Sequence, residues 1–311
     1  DQTDAATAFR ADLKVQTLAA YETDTAGGAT TILPGAEFSL PVKSIADDLI
    51  ADLPKVFLED LQEAVQSTNT PPLNASDQAV ADEFDARFAA ASDHSPFERA
   101  TRDVHEALVA NYLDNVGSTN WVHFTDIAAW GDAYLDRASI TEYIQFGNAI
   151  STAAYYQAFS DADGVALDGR NRDGYVLTFA PGTLPEAERF WSLTAYTPQA
   201  IELIPNAIDK YAVGGYTEGL QYEDDGTLNI YLSANQPDDV PTANWLPVSD
   251  RPFNVMLRVY GVVSGSSVDD GTYEPPAIVA YEPGPIAPVA AIDPTQAAPA
   301  RPVTGSPRYT G

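Results

Sequence analysis

The sequence predicts an α+β chain in which a helical N-terminal segment leads into an antiparallel β-sandwich, followed by an extended Pro-rich C-terminal tail. Three observations carry this. Apolar residues recur at helical spacing up to about residue 160, the period shortens to two beyond Gly164, and prolines arrive every few residues past Pro275. The expected organisation is 1–45 as a remnant or linker of a preceding domain, 46–160 helical, 161–276 β-sandwich and 277–311 a Pro/Ala-rich tail.

The first 45 residues combine a short helical stretch, Ala8 to Tyr21, with a Gly/Thr/Pro-rich connection from Ala26 to Pro41. Pro54 suits a first helical turn, and Phe57, Leu61 and Val65 follow at i, i+4 and i+8 until Thr70-Pro71-Pro72 stops the helix. Val80, Phe84 and Phe88 predict a second helix over about Asp77 to Ala91. Ser95-Pro96-Phe97-Glu98 reads as a capping box with Ser95 at the N-cap, and Val104, Leu108 and Tyr112 as the buried face behind it. A further helix is expected from about Asp132 to Phe159, carrying Gly147 at some cost.

Strands are expected at Tyr175–Phe179, Phe190–Tyr196, Leu228–Leu232 and Asn254–Tyr260, with Pro181-Gly182, Asp225-Gly226 and Asp270-Gly271 as turns. Short antiparallel strands between turn signals point to a sandwich or barrel and away from a doubly wound sheet. The tail reads first as a disordered linker; the recurrence of Ile278, Val279, Tyr281, Ile286 and Val289 among the prolines supports the alternative of an arm lying along a neighbouring subunit.

The 311 residues are 45% hydrophobic and 10% aromatic, enough for a real core. No apolar run reaches the length of a membrane span. With no cysteine, disulfides, thiolate metal sites and cysteine nucleophiles are excluded. Sixteen Lys+Arg against 45 Asp+Glu give a net charge of −29, which repels nucleic acid and anionic lipid alike. Only Lys14, Lys43, Lys55 and Lys210 are lysines, and an acidic, lysine-poor surface stays soluble in concentrated salt. A marine, halophilic or secreted origin fits. The start at Asp1-Gln2-Thr3, without Met or a signal segment, is expected of a trimmed mature form or of an excerpt.

The β half carries a specific series. Asp163-Gly164, Leu167-Asp168-Gly169 and Tyr175-Val176-Leu177-Thr178-Phe179 are followed by Phe190-Trp191-Ser192-Leu193-Thr194, Lys210-Tyr211 and Asp225-Gly226-Thr227-Leu228. Asn244-Trp245-Leu246-Pro247, Pro252-Phe253 and Gly271-Thr272-Tyr273 with Pro275-Pro276 complete it. From about Trp130 to Pro276 this resembles the family called domain of unknown function 1214, which usually follows a domain numbered 1254 in secreted or periplasmic bacterial proteins. The helices from about Asp47 to Phe159 look like the usual connection between the two. The resemblance implies a jelly-roll-like sandwich and an export history. It implies no reaction.

Candidate chemistry is sparse. Of the three histidines, His94 and His105 are too far apart for one helical turn, so a three-histidine zinc site is not expected. His123, in Trp121-Val122-His123-Phe124-Thr125-Asp126, is the most suggestive, since Asp126 could orient its ring. No Gly-x-Ser-x-Gly elbow, phosphate loop or dinucleotide fingerprint is present. Asp161, Asp163 and Asp168 offer clustered oxygens of the kind calcium (Ca2+) takes, without EF-hand spacing, and no other cofactor is expected. Arg170, Arg172 and Arg189 could clamp a ligand carboxylate or pair with nearby acids. Trp191 and Trp245, with Tyr196, Tyr211, Tyr216 and Tyr222, could form a sugar-stacking face or simply core. The expected ligand-binding set is therefore Arg170, Arg189, Trp191 and His123.

Two functions follow. One is a secreted or cell-surface structural or interaction protein, a homo-oligomer or one fragment of a common precursor, with no nucleic-acid partner and no membrane insertion. The other is an extracellular hydrolase or a small-ligand or carbohydrate binder using a pocket in the sandwich.

Overall fold

The computed structural model describes residues 42–67, 72–170, 173–198 and 202–282. The expected helix at Ala8 to Tyr21, Arg172 and the tail beyond 282 lie outside the described residues. Helices α1 (Val42–Asp52), α2 (Pro54–Gln66), α3 (Ala75–Ala90) and α4 (Ser95–Leu113) come first, and α5 (Tyr134–Tyr143) follows a short strand. Pro54 opens α2 as its position predicts, since a first-turn residue has no hydrogen bond to lose.

The caps differ in detail from the sequence reading. Asn74 caps α3, its Oδ1 accepting from the backbone N–H of Ser76 and Asp77 at 2.9 Å each. At α4 the helix begins on Ser95 itself, with His94 in the N-cap position. Asp93 takes the role expected of Ser95, its Oδ1 accepting from the Ser95 N–H at 3.0 Å and the Ser95 hydroxyl at 2.7 Å. A carboxylate there also complements the positive end of the helix.

Among the described residues, nine strands form two sheets. They are β1 (Trp121–Val122), β2 (Ala153–Ala158), β3 (Tyr175–Phe179), β4 (Ala187–Tyr196), β5 (Ala212–Gly214), β6 (Leu228–Ser233), β7 (Trp245–Pro247), β8 (Asn254–Val262) and β9 (Ile278–Ala280). The first sheet runs β1-β2-β8-β4-β5, the second β7-β6-β3-β9. Every pairing is antiparallel except β6 with β7.

The two-residue period of the strands sorts side chains into two cores. From the first sheet, Tyr156, Leu193, Val255, Leu257 and Val259 meet Tyr175, Leu177, Phe179, Ile230 and Leu232 of the second. The opposite face of the first sheet presents Ala153, Tyr155 and Met256 to Tyr112 of α4 and to Ile140 and Tyr143 of α5. The first sheet is thus covered on both sides, by helices and by the second sheet.

That double burial explains the main correction. The helix expected over Asp132 to Phe159 stops at Tyr143, and β2 occupies its last third. All six residues of β2 are buried, so the alternation that marks a one-sided strand is missing from Ala-Ala-Tyr-Tyr-Gln-Ala. The helix ends where Gln145 turns left-handed, at φ 65°. Gly147 then passes so near Ile127 that a Cβ would sit 2.6 Å from its Cγ2. A second correction concerns the tail: Ile278–Ala280 pairs with β3 of its own chain, and Ile278 is buried, so this part of the expected arm completes a sheet.

One buried polar chain crosses the layers. The Tyr112 hydroxyl donates to Gln157 Oε1 at 2.5 Å, and Gln157 Nε2 donates to Asn254 Oδ1 at 2.8 Å. All three residues are almost wholly buried. Tyr112→Phe leaves the Gln157 oxygen without its donor, and the expected loss is about 1–3 kcal/mol. Urea denaturation measures it; a midpoint unchanged from wild type would show that the chain does not hold the layers together.

Candidate functional site

A cavity of about 190 Å³ opens beside the edge of the first sheet, walled by the 115–123 hairpin, β2 and the 271–275 loop. Its position follows from register. Trp121 pairs with Ala158 and Val122 with Gln157, so the next residue, His123, falls opposite Tyr156. The two rings stack with centroids 4.1 Å apart and planes 17° from parallel. The hairpin is held by Gly117 N–H donating to Trp121 O at 2.9 Å and by Asn115 Nδ2 donating to His123 O at 2.7 Å.

The loop side depends on two glycines. Gly271 has φ +76°, and a Cβ there would lie 2.6 Å from Thr125 Cγ2. At Gly117 a Cβ would come within 2.9 Å of Glu274 Oε1. The missing side chain lets the Glu274 carboxylate dock on Ser118, accepting from its N–H at 3.2 Å and from its hydroxyl. Tyr273 meets Tyr156 edge-on at 5.5 Å and donates its hydroxyl to Thr183 O at 3.1 Å. Trp121 closes the floor, its indole N–H donating to Pro276 O at 2.8 Å.

Polar chemistry in this wall is left incomplete. Thr119 Oγ1, His123 Nε2 and Tyr156 Oη have almost no contact with solvent and no hydrogen-bond partner. His123 Nδ1 lies 2.8 Å from the Tyr155 carbonyl oxygen, which can only accept, so Nδ1 carries the proton. Burial lowers the His123 pKa, against an opposing pull from that carbonyl. The ring is therefore neutral near pH 7 and Nε2 holds a bare lone pair. Burial raises the Tyr156 phenol well above its usual range, with nearby Asp270 adding to the effect. Burial does the same to Tyr273, with Tyr156 adding. Both phenols stay protonated.

The surrounding charge is negative. Asp270 is held below the usual carboxylate range by the Thr272 hydroxyl at 2.5 Å and the Thr272 N–H at 2.9 Å. Glu274 is lowered by Ser118. Among the described residues, no lysine or arginine lines the cavity.

Of the expected ligand-binding residues, only His123 lies here. Arg170 pairs with Asp168, Nη2 to Oδ2 at 2.6 Å and Nε to Oδ1 at 3.1 Å, with the Asp168 side chain buried and Arg170 exposed. Arg189 is exposed on β4. Trp191 is 6% exposed and packs on Phe179 in the inter-sheet core. Trp245 is likewise buried, whereas Tyr216 and Tyr222 are exposed, so these aromatics share no face. Asp126 does not orient His123; the Tyr155 carbonyl does. The Asp161 Oδ1 accepts from the Asp163 and Val165 N–H groups at 3.0 Å each, and Asp163 is exposed. His94 Nε2 sits 3.1 Å from Phe88 O within an aromatic turn. Among the described residues, the one group of three donors spaced for a metal is instead Asp47, His105 and Glu142.

Thr119, Tyr156, Tyr273 and Glu274 escaped the sequence reading. Tyr156 was hidden in the expected helix, and Tyr273 stood only as part of a family pattern.

Residues 152–263 match the family described as "Protein of unknown function (DUF1214)". The match is narrower than the resemblance, and of the cavity wall only Tyr156 lies inside it. Among solved structures, a Vibrio parahaemolyticus protein is 22% identical with a TM-score of 0.47, covering 91% of this chain and 66% of that one. A putative uncharacterised protein from Burkholderia cenocepacia is 14% identical with a TM-score of 0.34, covering 82% of this chain and 55% of that one. This chain thus spans under two thirds of either. Nothing among curated proteins matches it.

Because the folded state lowers the His123 pKa, its neutral ring contributes stability above the unfolded value of about 6.5 that is lost as pH falls through the folded value. His123→Gln removes that dependence. Urea midpoints at about pH 7.5 and 5.5 should show wild type losing more than the variant on acidification. A gap between the two proteins that does not change with pH would contradict a neutral, buried His123.

Proposed function

We propose that the protein binds a small, hydroxyl-rich, uncharged ligand, a polyol or small sugar, in the His123–Tyr156 cavity. The observation that supports this best is the trio of unpartnered polar atoms carried by residues of its wall, Thr119 Oγ1, His123 Nε2 and Tyr156 Oη. A buried group without a partner costs about 1–3 kcal/mol, and a ligand that completes the set recovers it. The complement is specific: a lone pair at His123, two hydroxyls that donate or accept, and Tyr rings for the apolar face. At about 190 Å³ the cavity is below the roughly 300 Å³ where pockets for larger ligands begin. Anions are disfavoured by Asp270, Glu274 and the net charge of −29. On this reading the sheets are a jelly-roll-like scaffold, and the protein works outside the cytoplasm, where an acidic surface tolerates salt.

A second reading, assembly with further copies of the chain, draws on apolar side chains left outside. Phe146 is 88% exposed, Val80 58%, Val104 56% and Leu53 54%. Sedimentation velocity at high and low salt decides it: a monomer at every concentration removes this reading.

For the ligand reading, glycerol, erythritol and glucose are titrated against the full chain, with acetate and sulfate as anionic controls, following the ring signals of His123. The hydroxylated probes should shift them, and Tyr156→Phe and Thr119→Val should each weaken binding about three- to tenfold. If none of the probes reaches His123, or the anions do so equally well, the reading fails.

A further inference from the structure

We infer that Asp47, His105 and Glu142 form a three-ligand site for a divalent transition metal, with zinc the best fit. The residues come from three helices, α1, α4 and α5, and their donor atoms all lie within 4.8 Å of one another. His105 Nε2 is 3.4 Å from Asp47 Oδ1 and 3.5 Å from Glu142 Oε1. Those separations exceed the roughly 2.7–3.2 Å of an N–H···O hydrogen bond. They equal the edge of a coordination tetrahedron: bonds of about 2.0–2.2 Å to nitrogen and oxygen place neighbouring ligand atoms about 3.3–3.5 Å apart.

The nitrogen concerned has almost no solvent contact and no hydrogen-bond partner. One imidazole N–H cannot serve two carboxylates at such distances. A divalent cation at their centre bonds to all three donors and balances both carboxylate charges, with the imidazole neutral. With no cysteine in the chain, nitrogen and oxygen are the donors available, which suits zinc among the first-row metals. The His105, Asp47 and Glu142 side chains retain 20%, 32% and 12% exposure, so solvent is near enough to supply a fourth ligand. Three protein ligands with an open position is the pattern of zinc sites that do chemistry.

The placement also makes structural sense. His105 lies on the inward stripe of α4 with Leu108 and Tyr112, whereas Val104, expected to be buried, is 56% exposed. Bound metal would tie α1 to the two helices that pack on the sheet. The site shares no residue with the His123 cavity.

The test uses the full chain stripped with a chelator, then titrated with Zn2+ or with Co2+ as a coloured probe. Excess Mg2+ is present throughout to occupy exposed carboxylates. One equivalent should bind and raise the melting temperature. His105→Gln and Glu142→Gln should each weaken binding at least tenfold and abolish the thermal shift. Binding unaltered by these substitutions, or none surviving Mg2+, would overturn the site. Should either variant misfold, Mn2+ added to wild type reads the same point: selective broadening of the His105 ring signals supports the site, and equal broadening of His94 and His123 refutes it.

Discussion

The hydrogen-bond chain from Tyr112 through Gln157 to Asn254 fixes how the helical layer sits on the first sheet, and the site depends on it. In β2 successive side chains face opposite sides, so Gln157 must point to the helices for Tyr156 to point to the inter-sheet core. A slip of one residue would bury the Gln157 amide between the sheets without partners and turn Tyr156 away from the cavity. The same strand supplies the Tyr155 carbonyl that sets the tautomer of His123. Register and the burial of Tyr156 are thus tied to two hydrogen bonds in a largely apolar layer, and the proposed ligand chemistry depends on them.

Charge does little to hold this fold together. The ion pairs Lys55–Glu59 and Arg87–Glu83 are exposed i,i+4 helix pairs. Such pairs contribute about 0–1 kcal/mol each. Stability rests on the two apolar cores, while the acidic surface governs solubility and which solutes approach. The local field favours cations and neutral molecules at both sites, whose chemistry is otherwise different. One is walled by aromatic rings and hydroxyls; the other converges two carboxylates on an imidazole.

The sandwich was legible in the sequence where strands have one polar neighbour in two. Tyr175–Phe179 and Leu228–Leu232 are both strand, because alternation and Asp-Gly or Pro-Gly turns mark them. β2 was not, because burial on both faces erases the pattern that separates strand from helix. Helix faces were read from apolar spacing alone: Phe88 and Tyr112 are buried as expected, joined by Ala81, whereas Val80 and Val104 are exposed. Of the sites, His123 stood out in the sequence because Asp126 follows three residues on, although the group that orients its ring is the Tyr155 carbonyl. Its partners are brought to it from 33 and 150 residues further along the chain, and no local motif could announce Tyr156 or Tyr273. His105, Asp47 and Glu142 are separated in the same way, on helices whose packing the periodicity did not resolve.

The protonation of His123 is the most direct test of the proposed ligand site, because Nε2 can accept a hydroxyl donor only if it is bare. Nitrogen-15 NMR of the imidazole at neutral pH distinguishes the two tautomers and the cation. The geometry predicts a neutral ring protonated at Nδ1, with Nε2 free. A ring protonated at Nε2, or at both nitrogens, would contradict the assignment of this cavity as a site for hydroxyl donors.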